Sequence, residues 1–505
     1  MPEATFQRAV YPLAWLAERA HLVPDLDKNE LRTTAQAGLR YALRIQHPNG
    51  SFDQAFPFEQ SFGATAFLVH PLLASYKILH SHFTTKEHAT LERALRQATD
   101  FLVRHDERHS HIANHLAGAV LSLYTAGDFF DAPRYRQRGQ DILARILGHQ
   151  SAEGWFLEYE GADPGYQTLC LYYLAEIYQR WPTPELEAAL ARAIDFLAWF
   201  AHPDGTFGGE YGSRRTAIYY PGGIARLSQQ FPAAAALTAA MLAATDAQHT
   251  TTLYDIDMGN LAPLLSTYLP VLEADLSALC AAPPLPWQTT TARDFPQAGL
   301  YIRSTEHYYA VFGASNGGVL KVFDKMQRRI IYDDGGYAGL TERGQTITTQ
   351  ITAFDNRPHL TEDSLTLQTS FYAMLHAAPT PARFVALRVL NLTAMRSIPL
   401  GNLVKRALVR LLISGKARVP LRLTRRITWH ADHIILHDRL EITGSLRLRA
   451  LACGVRFTGI HMASANYFAR PIAPRAVHTI DVETLNQQHT IETEQVIGHA
   501  NSRHS

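Results

Sequence analysis

The chain has 505 residues, 47% of them hydrophobic and 18% charged, and a net charge of +1 with neutral histidines. That length exceeds what one core ordinarily spans, so two folded domains are expected, and the composition leaves no room for a long disordered tail. Near-neutrality argues against a nucleic-acid binder, and three scattered cysteines (Cys170, Cys280, Cys453) make neither a disulfide framework nor a cysteine zinc site.

The amino end lacks a basic leader region. The apolar stretch 11–23 is interrupted by Glu18, Arg19 and His21, so it reads as an amphipathic helix rather than an export signal or membrane span. A cytoplasmic location without an integral membrane segment is the expectation. Residues 31–45 carry apolar side chains at helical spacing. Thr84 and Glu87 form a capping box ahead of a helix whose apolar face runs from Ala89 to Leu102. Asn114 and His115 stand where a turn meets a helix expected to run to Ala126 and stop at Gly127. Pro164-Gly165 should present Tyr166 ahead of a helix over 168–178. Thr183-Pro184-Glu185 supplies an N-cap and a first-turn proline for a helix through Phe200.

The separators between these helices repeat. Residues 46–52, 150–156 and 201–207 share a Gly-x-Phe turn after a helix. The second and third lie about 50 residues apart and the first two about twice that, consistent with a helix–turn–helix unit. Helical hairpins with such turns at one end suggest an (α/α) toroid around a central cleft over residues 1–280. The turns also resemble those of terpene cyclases, but the Asp-rich motif of those enzymes is absent. The proline-rich stretch 281–286 opens a linker expected over 281–295. Beyond it, 296–505 reads as an antiparallel β-sandwich. Residues 308–312 and 319–323 flank a Ser-Asn-Gly-Gly turn as a hairpin, and 426–429, 434–436 and 446–451 continue the pattern. Residues 332–337 are expected to form a hairpin turn, and 398–413 could be helix or strand.

Several residues could carry chemistry. Asn114 can hydrogen-bond a carboxylate, and His115 and Tyr166 can move protons. The same residues also fit an N-cap, a surface histidine and a packing tyrosine. The loop Gly208–Arg215 puts Glu210 beside two arginines, Arg214 and Arg215, whose guanidinium forks match carboxylates and sulfates. A solvated loop explains it equally. Tyr219, with Trp155, adds aromatic surface for sugar rings, and Glu158 and Gln167 complete the expected substrate-binding set. His307, His359, His430 and His433 could close the cleft from the β-half. His430-Ala431-Asp432-His433 is more simply a turn than a metal site, and no metal or cofactor is expected. The basic run Lys405, Arg406, Arg410, Lys416, Arg418, Arg422, Arg425, Arg426 reads as a solvated face, with an anionic glycan or a membrane surface as the sharper alternative.

With these motifs in order, the chain resembles the heparinase II/III-like and alginate-lyase-like polysaccharide lyases, which join an (α/α) toroid to a β-sandwich. The family's Asn-His element resembles Ala113-Asn114-His115-Leu116-Ala117-Gly118-Ala119. Its Ser-Pro-x-Tyr-His element resembles Asp163-Pro164-Gly165-Tyr166-Gln167, with Asp163 for the serine and Gln167 for the histidine. The resemblance implies β-elimination on a uronate-containing polysaccharide. Asn114 would neutralise the carboxylate, Tyr166 or His115 would take the proton, and Tyr166 would protonate the leaving oxygen. A tyrosine base would need Arg214 and Arg215 to lower its pKa. The alternative is a degenerate toroid that binds glycans or acts in polysaccharide assembly. The partner in either case is an acidic polysaccharide.

Overall fold

The computed structural model describes residues 3–498 apart from 55, 108–110, 160, 354–355, 375–379, 398, 402, 405–416 and 455–476. Its first half is helical: α1 (Ala4–Gln7), α2 (Val10–Glu18), α3 (Lys28–Ile45), α4 (Phe62–Ile78), α5 (Thr85–Arg104), α6 (Ala113–Phe130) and α7 (Pro133–Gly148). The series continues through α8 (Pro164–Arg180), α9 (Pro184–Leu197), α10 (Pro221–Arg226), α11 (Pro232–Asp246) and α12 (Met258–Glu273). Consecutive pairs pack as hairpins. The even-numbered helices also pack on one another in sequence, and α12 closes back on α1 and α2. This ring inside a ring is the (α/α) toroid.

The helices themselves sort into the two rings by composition. α4, α6 and α8 are buried on nearly every face, whereas α3, α5 and α7 bury one stripe of side chains and present charged residues elsewhere. A helix that is apolar all round belongs inside, and an amphipathic one belongs on the rim. The predicted caps hold: Thr84 and Glu87 close a full capping box, and Thr183 accepts from the Leu186 N–H with Pro184 in the first turn. α6 departs from expectation. It runs through Gly127 to Phe130 and ends at Asp131, which takes up the left-handed conformation, because the small Gly127 lets the Arg136 stem of α7 pack against it.

The first two of the repeated turns, at 46–52 and 150–156, have a common construction. Gln46 donates through Nε2 to the Gly50 carbonyl (3.1 Å) and to Ala94 O of α5 (2.9 Å). Gln150 repeats this with Gly154 (3.1 Å) and Ala189 O of α9 (2.8 Å). Gly50 and Gly154 hold φ of +93° and +98°, and a Cβ there would meet Gln97 O at 2.0 Å and Arg192 O at 2.2 Å. Only glycine allows that approach. Each turn therefore pins an inner-helix entry to the next outer helix.

The strands are β1 (Thr291–Phe295), β2 (Leu300–Ser304), β3 (Tyr308–Gly313), β4 (Val319–Asp324) and β5 (Arg329–Asp334), followed by β6 (Tyr337–Thr341), β7 (Thr346–Thr348), β8 (His359–Leu360) and β9 (Ser364–Ala373). The set ends with β10 (Ala417–Trp429), β11 (His433–Ile442), β12 (Leu448–Cys453), β13 (His478–Thr479) and β14 (Thr490–Gly498). They form an antiparallel sheet in the order β1-β2-β3-β4-β5 and a second in the order β13-β12-β6-β7-β9-β10-β11-β14, with β8 on β9. Phe312 and Leu320 of the first sheet share a core with Leu367, Ile427 and Leu436 of the second, which makes a β-sandwich.

The hairpin of β3 and β4 is present as predicted, with Gly313 opposite Val319. Residues 332–337 do not form a hairpin turn. Gly335-Gly336 carries the chain from β5 in one sheet to β6 in the other. His430 and His433 flank the β10–β11 turn. Residues 405–413 of the ambiguous stretch, and Lys416, lie outside the described residues.

Candidate active site

The loops that enter α4, α6, α8 and α10 lie at one end of the toroid, and they bring together residues far apart in sequence. Glu158, in the bridge ahead of α8, is fully buried. It accepts from the Asn114 backbone N–H at 2.9 Å and from Asn114 Nδ2 at 2.6 Å. Arg214 Nη1 lies 3.9 Å from Glu158 Oε2. Burial pushes the Glu158 carboxyl up to about 7, against the opposing pull of Arg214 and the Asn114 hydrogen bonds. The group is therefore poised to change charge near neutrality.

Arg214 also lies over the Tyr166 ring, 3.4 Å from its centroid, and over Tyr159 at 4.9 Å. Burial raises the Tyr166 pKa above its ordinary value, and Arg214 only partly offsets this. The lowered pKa that a tyrosine base would need is not met: Tyr166 rests protonated. Arg215 is buried with a left-handed backbone, and burial lowers its pKa to about 10 against the pull of Glu210.

His115 is one residue further along α6 and is partly exposed. Its Nδ1 lies 2.9 Å from Glu107 Oε2, and its ring meets the edge of Phe67 with centroids 5.1 Å apart. An ionised Glu107 accepts from Nδ1–H, which leaves Nε2 as the basic atom.

Asp163 explains how the tyrosine and arginine come together. As the α8 N-cap it accepts from the Tyr166 N–H at 2.9 Å. The Thr216 hydroxyl donates to that same oxygen, Oδ1, and the other, Oδ2, accepts from the Arg214 N–H at 2.9 Å. One buried carboxylate therefore fixes both the helix start and the arginine loop.

The β-half props that loop from the other side. Asn316 donates to Glu210 O at 3.1 Å and to Gly212 O at 2.6 Å. Lys321 of β4 bridges Glu210 (2.8 Å) and Asp333 (2.8 Å).

Asn114, His115, Glu158, Tyr166 and Arg214 thus converge, and the other predicted residues serve elsewhere. Gln167 is buried and holds Phe156 N, Gly154 O and Ala193 O. Glu210 is committed to Lys321. Trp155 donates to Glu153, which also receives the N–H groups of Gln297 and Ala298. Tyr219 is buried edge-on against Phe207 rather than offered to a sugar. In the β-half, His307, His430 and His433 gather near Asp432 at the β10–β11 turn, and His359 lies on β8. In the basic run, Arg418, Arg422 and Arg426 are exposed, but Arg425 is fully buried between Asp334 and Asp438. Glu107 and Asp163 were not predicted as site residues. Only the capping position of Asp163, immediately before a Pro-Gly helix start, signals its role in the sequence.

Residues 4–252 match the family of the ulvan lyase N-terminal domain. The helical half of the chain is thus similar to the N-terminal domain of ulvan lyases. Among solved structures, the Streptomyces coelicolor A3 chondroitin AC lyase in complex with chondroitin sulphate is similar at a TM-score of 0.51 and 12% identity. That match covers 88% of this chain and 62% of the other, so this chain spans about three-fifths of that enzyme. A heparan sulfate lyase from Pedobacter heparinus matches at a TM-score of 0.38 and 13% identity, covering 78% of this chain and 55% of that one. A search of curated proteins finds no match. Among the described residues no single helix is long and apolar enough to cross a membrane.

Proposed function

We propose that this chain is a lyase that cleaves an acidic, uronate-containing polysaccharide by β-elimination in the cleft at the entry end of the toroid. The observation that carries this reading is the convergence of Asn114, Tyr166 and Arg214 on Glu158, with His115 beside them. In the reaction the C5–H bond breaks and its electron pair forms the C4=C5 double bond. The C4–O bond breaks in turn, and the departing oxygen takes up a proton.

Each step has a candidate residue. Glu158 orients the Asn114 amide and uses one of its two N–H donors, which leaves the other for the uronate carboxylate and the charge that develops on it. Arg214 supplies a second positive partner. His115, with Nδ1 engaged by Glu107, presents Nε2 as the base that takes the C5 proton. Tyr166, protonated at rest, is the acid for the leaving oxygen. Its phenolate, once formed, would lie under Arg214 and be stabilised by it.

The test is incubation with a panel of uronate polysaccharides, following the ultraviolet absorbance of the unsaturated product. Product formation that disappears in the Asn114→Ala, Tyr166→Phe double variant is the expected result. Full activity in that variant overturns the assignment, and binding without product favours a non-catalytic glycan binder.

A further inference from the structure

Arg8 sits in the bend between α1 and α2 and is only 8% exposed. Its Nη2 donates to the Tyr173 hydroxyl at 3.0 Å, and its guanidinium lies over the Phe67 ring, 4.8 Å from the centroid. Among the described residues no carboxylate pairs with it. The other deeply buried arginines differ: Arg425 has Asp334 and Asp438, and Arg215 has Glu210. A guanidinium cannot escape burial by losing its proton, and one hydroxyl and one ring leave most of its five N–H donors without an anionic partner.

Its neighbours tie Arg8 to the cleft. The Phe67 ring stacks on Tyr173 with centroids 5.5 Å apart and meets His115 on its edge. One phenyl ring thus separates the guanidinium from the candidate base. The Tyr220 phenol, at the entry of α10, lies within electrostatic reach of Arg8 and Tyr173 and also of Tyr166 and Arg214. Arg8 and Arg214 therefore both act on the same buried phenol, Tyr220.

We infer that Arg8 is a second anion subsite, binding through its planar fork a carboxylate or sulfate on a sugar next to the one that reacts. This deepens the lyase reading and rests on it. Sulfate and carboxylate present the same paired oxygens to a guanidinium, so the experiment separates them.

Binding is measured by calorimetry on the full chain carrying Tyr166→Phe, with and without Arg8→Gln. The probes are an unsulfated oligouronate, a carboxyl-reduced sulfated oligosaccharide and a neutral oligosaccharide of matched length. Arg8→Gln should weaken one or both charged probes tenfold or more and leave the neutral probe unchanged. Arg8→Lys, a point charge without the fork, should restore only part of the loss. A loss seen with the oligouronate assigns a carboxylate, and a loss confined to the sulfated probe assigns a sulfate. Unchanged affinity for both charged probes overturns the subsite, as does the absence of any binding to the chain that keeps Arg8. If charged probes bind but the wild-type chain releases no unsaturated product, the lyase reading fails while the same titrations still decide Arg8. Without sugar, Arg8→Met should melt no lower than the parent, because it removes an unpaired buried charge. A lower melting temperature with unchanged affinity would make Arg8 only a prop for Tyr173.

Discussion

Two arginines, one in each half of the molecule, are surrounded very differently. Arg425 in the β-sandwich is wholly buried. It forks onto Asp438 at 2.8 and 2.6 Å, and it also donates to Asp334 and to the Gly318 carbonyl. Asp438 in turn accepts from the Tyr337 hydroxyl at 2.7 Å. Two carboxylates and a carbonyl there take up the one guanidinium, with nothing left over for an anionic ligand. Arg214 in the helical half has one ion-pair carboxylate, Glu158 at 3.9 Å, which burial holds near the edge of ionisation, with Asp163 acting on it less strongly, and two aromatic faces. A saturated ion cluster stabilises a fold, whereas a cation whose charge is only partly met is ready for an incoming anion.

That contrast can be broken from either side. Arg425→Met should cause the largest change, a loss of about 3–5 kcal/mol of stability measured by thermal or denaturant unfolding, because two buried aspartates would lose their cation. A variant as stable as the parent would remove the structural reading of that cluster. Tyr166→Phe should leave unfolding unchanged and lower kcat on the order of 10²- to 10⁴-fold, the span of general acid–base catalysis. Asn114→Ala should reduce kcat by about 10²–10³, the range for one donor to a developing oxyanion. Steady-state assays on the cleaved polymer check both.

The smallest effect concerns Glu158. Its pKa is raised to about 7 from 4.5, so the folded state holds a proton that the unfolded chain releases across that interval. Stability contributed by this group is therefore full at low pH and falls as pH rises from about 4.5 through 7. The same deprotonation adds a negative charge beside Arg214, so KM for an anionic substrate should rise above neutral pH. Glu158→Gln should flatten that rise. A KM profile that keeps the same step in the glutamine variant would assign the titration elsewhere.

Much of this arrangement is written locally in the sequence. The capping box at Thr84, the first-turn proline at Pro184 and the β3–β4 hairpin depend on neighbours in the chain, and all form as read. The Gly-x-Phe turns also point to the toroid, although the mechanism of the first two, a glutamine reaching across to the next outer helix, is visible only in three dimensions. Asn114, His115, Tyr166 and Arg214 could be nominated by residue type, and their meeting point, Glu158, was expected among the binding residues.

What escaped depends on long-range geometry. Arg8 stands more than 50 residues from Phe67 and more than 150 from Tyr173, so nothing nearby in sequence reveals that its charge is unpaired. Arg425 looked like one more member of a basic run until burial set it apart. Whether Tyr166 meets the condition for a base was open in the sequence, because the arginine is visible there and the desolvation that raises the pKa is not.

Lys321 and Asn316 belong to the β-half, yet they brace the segment that delivers Arg214. The helical half is therefore not a module that can be cut free or regrafted with its chemistry intact. A recombinant fragment ending near residue 280 would keep the ring but lose the outer wall of the arginine loop. Exchanging sandwiches between homologues would retune the cleft without altering any residue inside it.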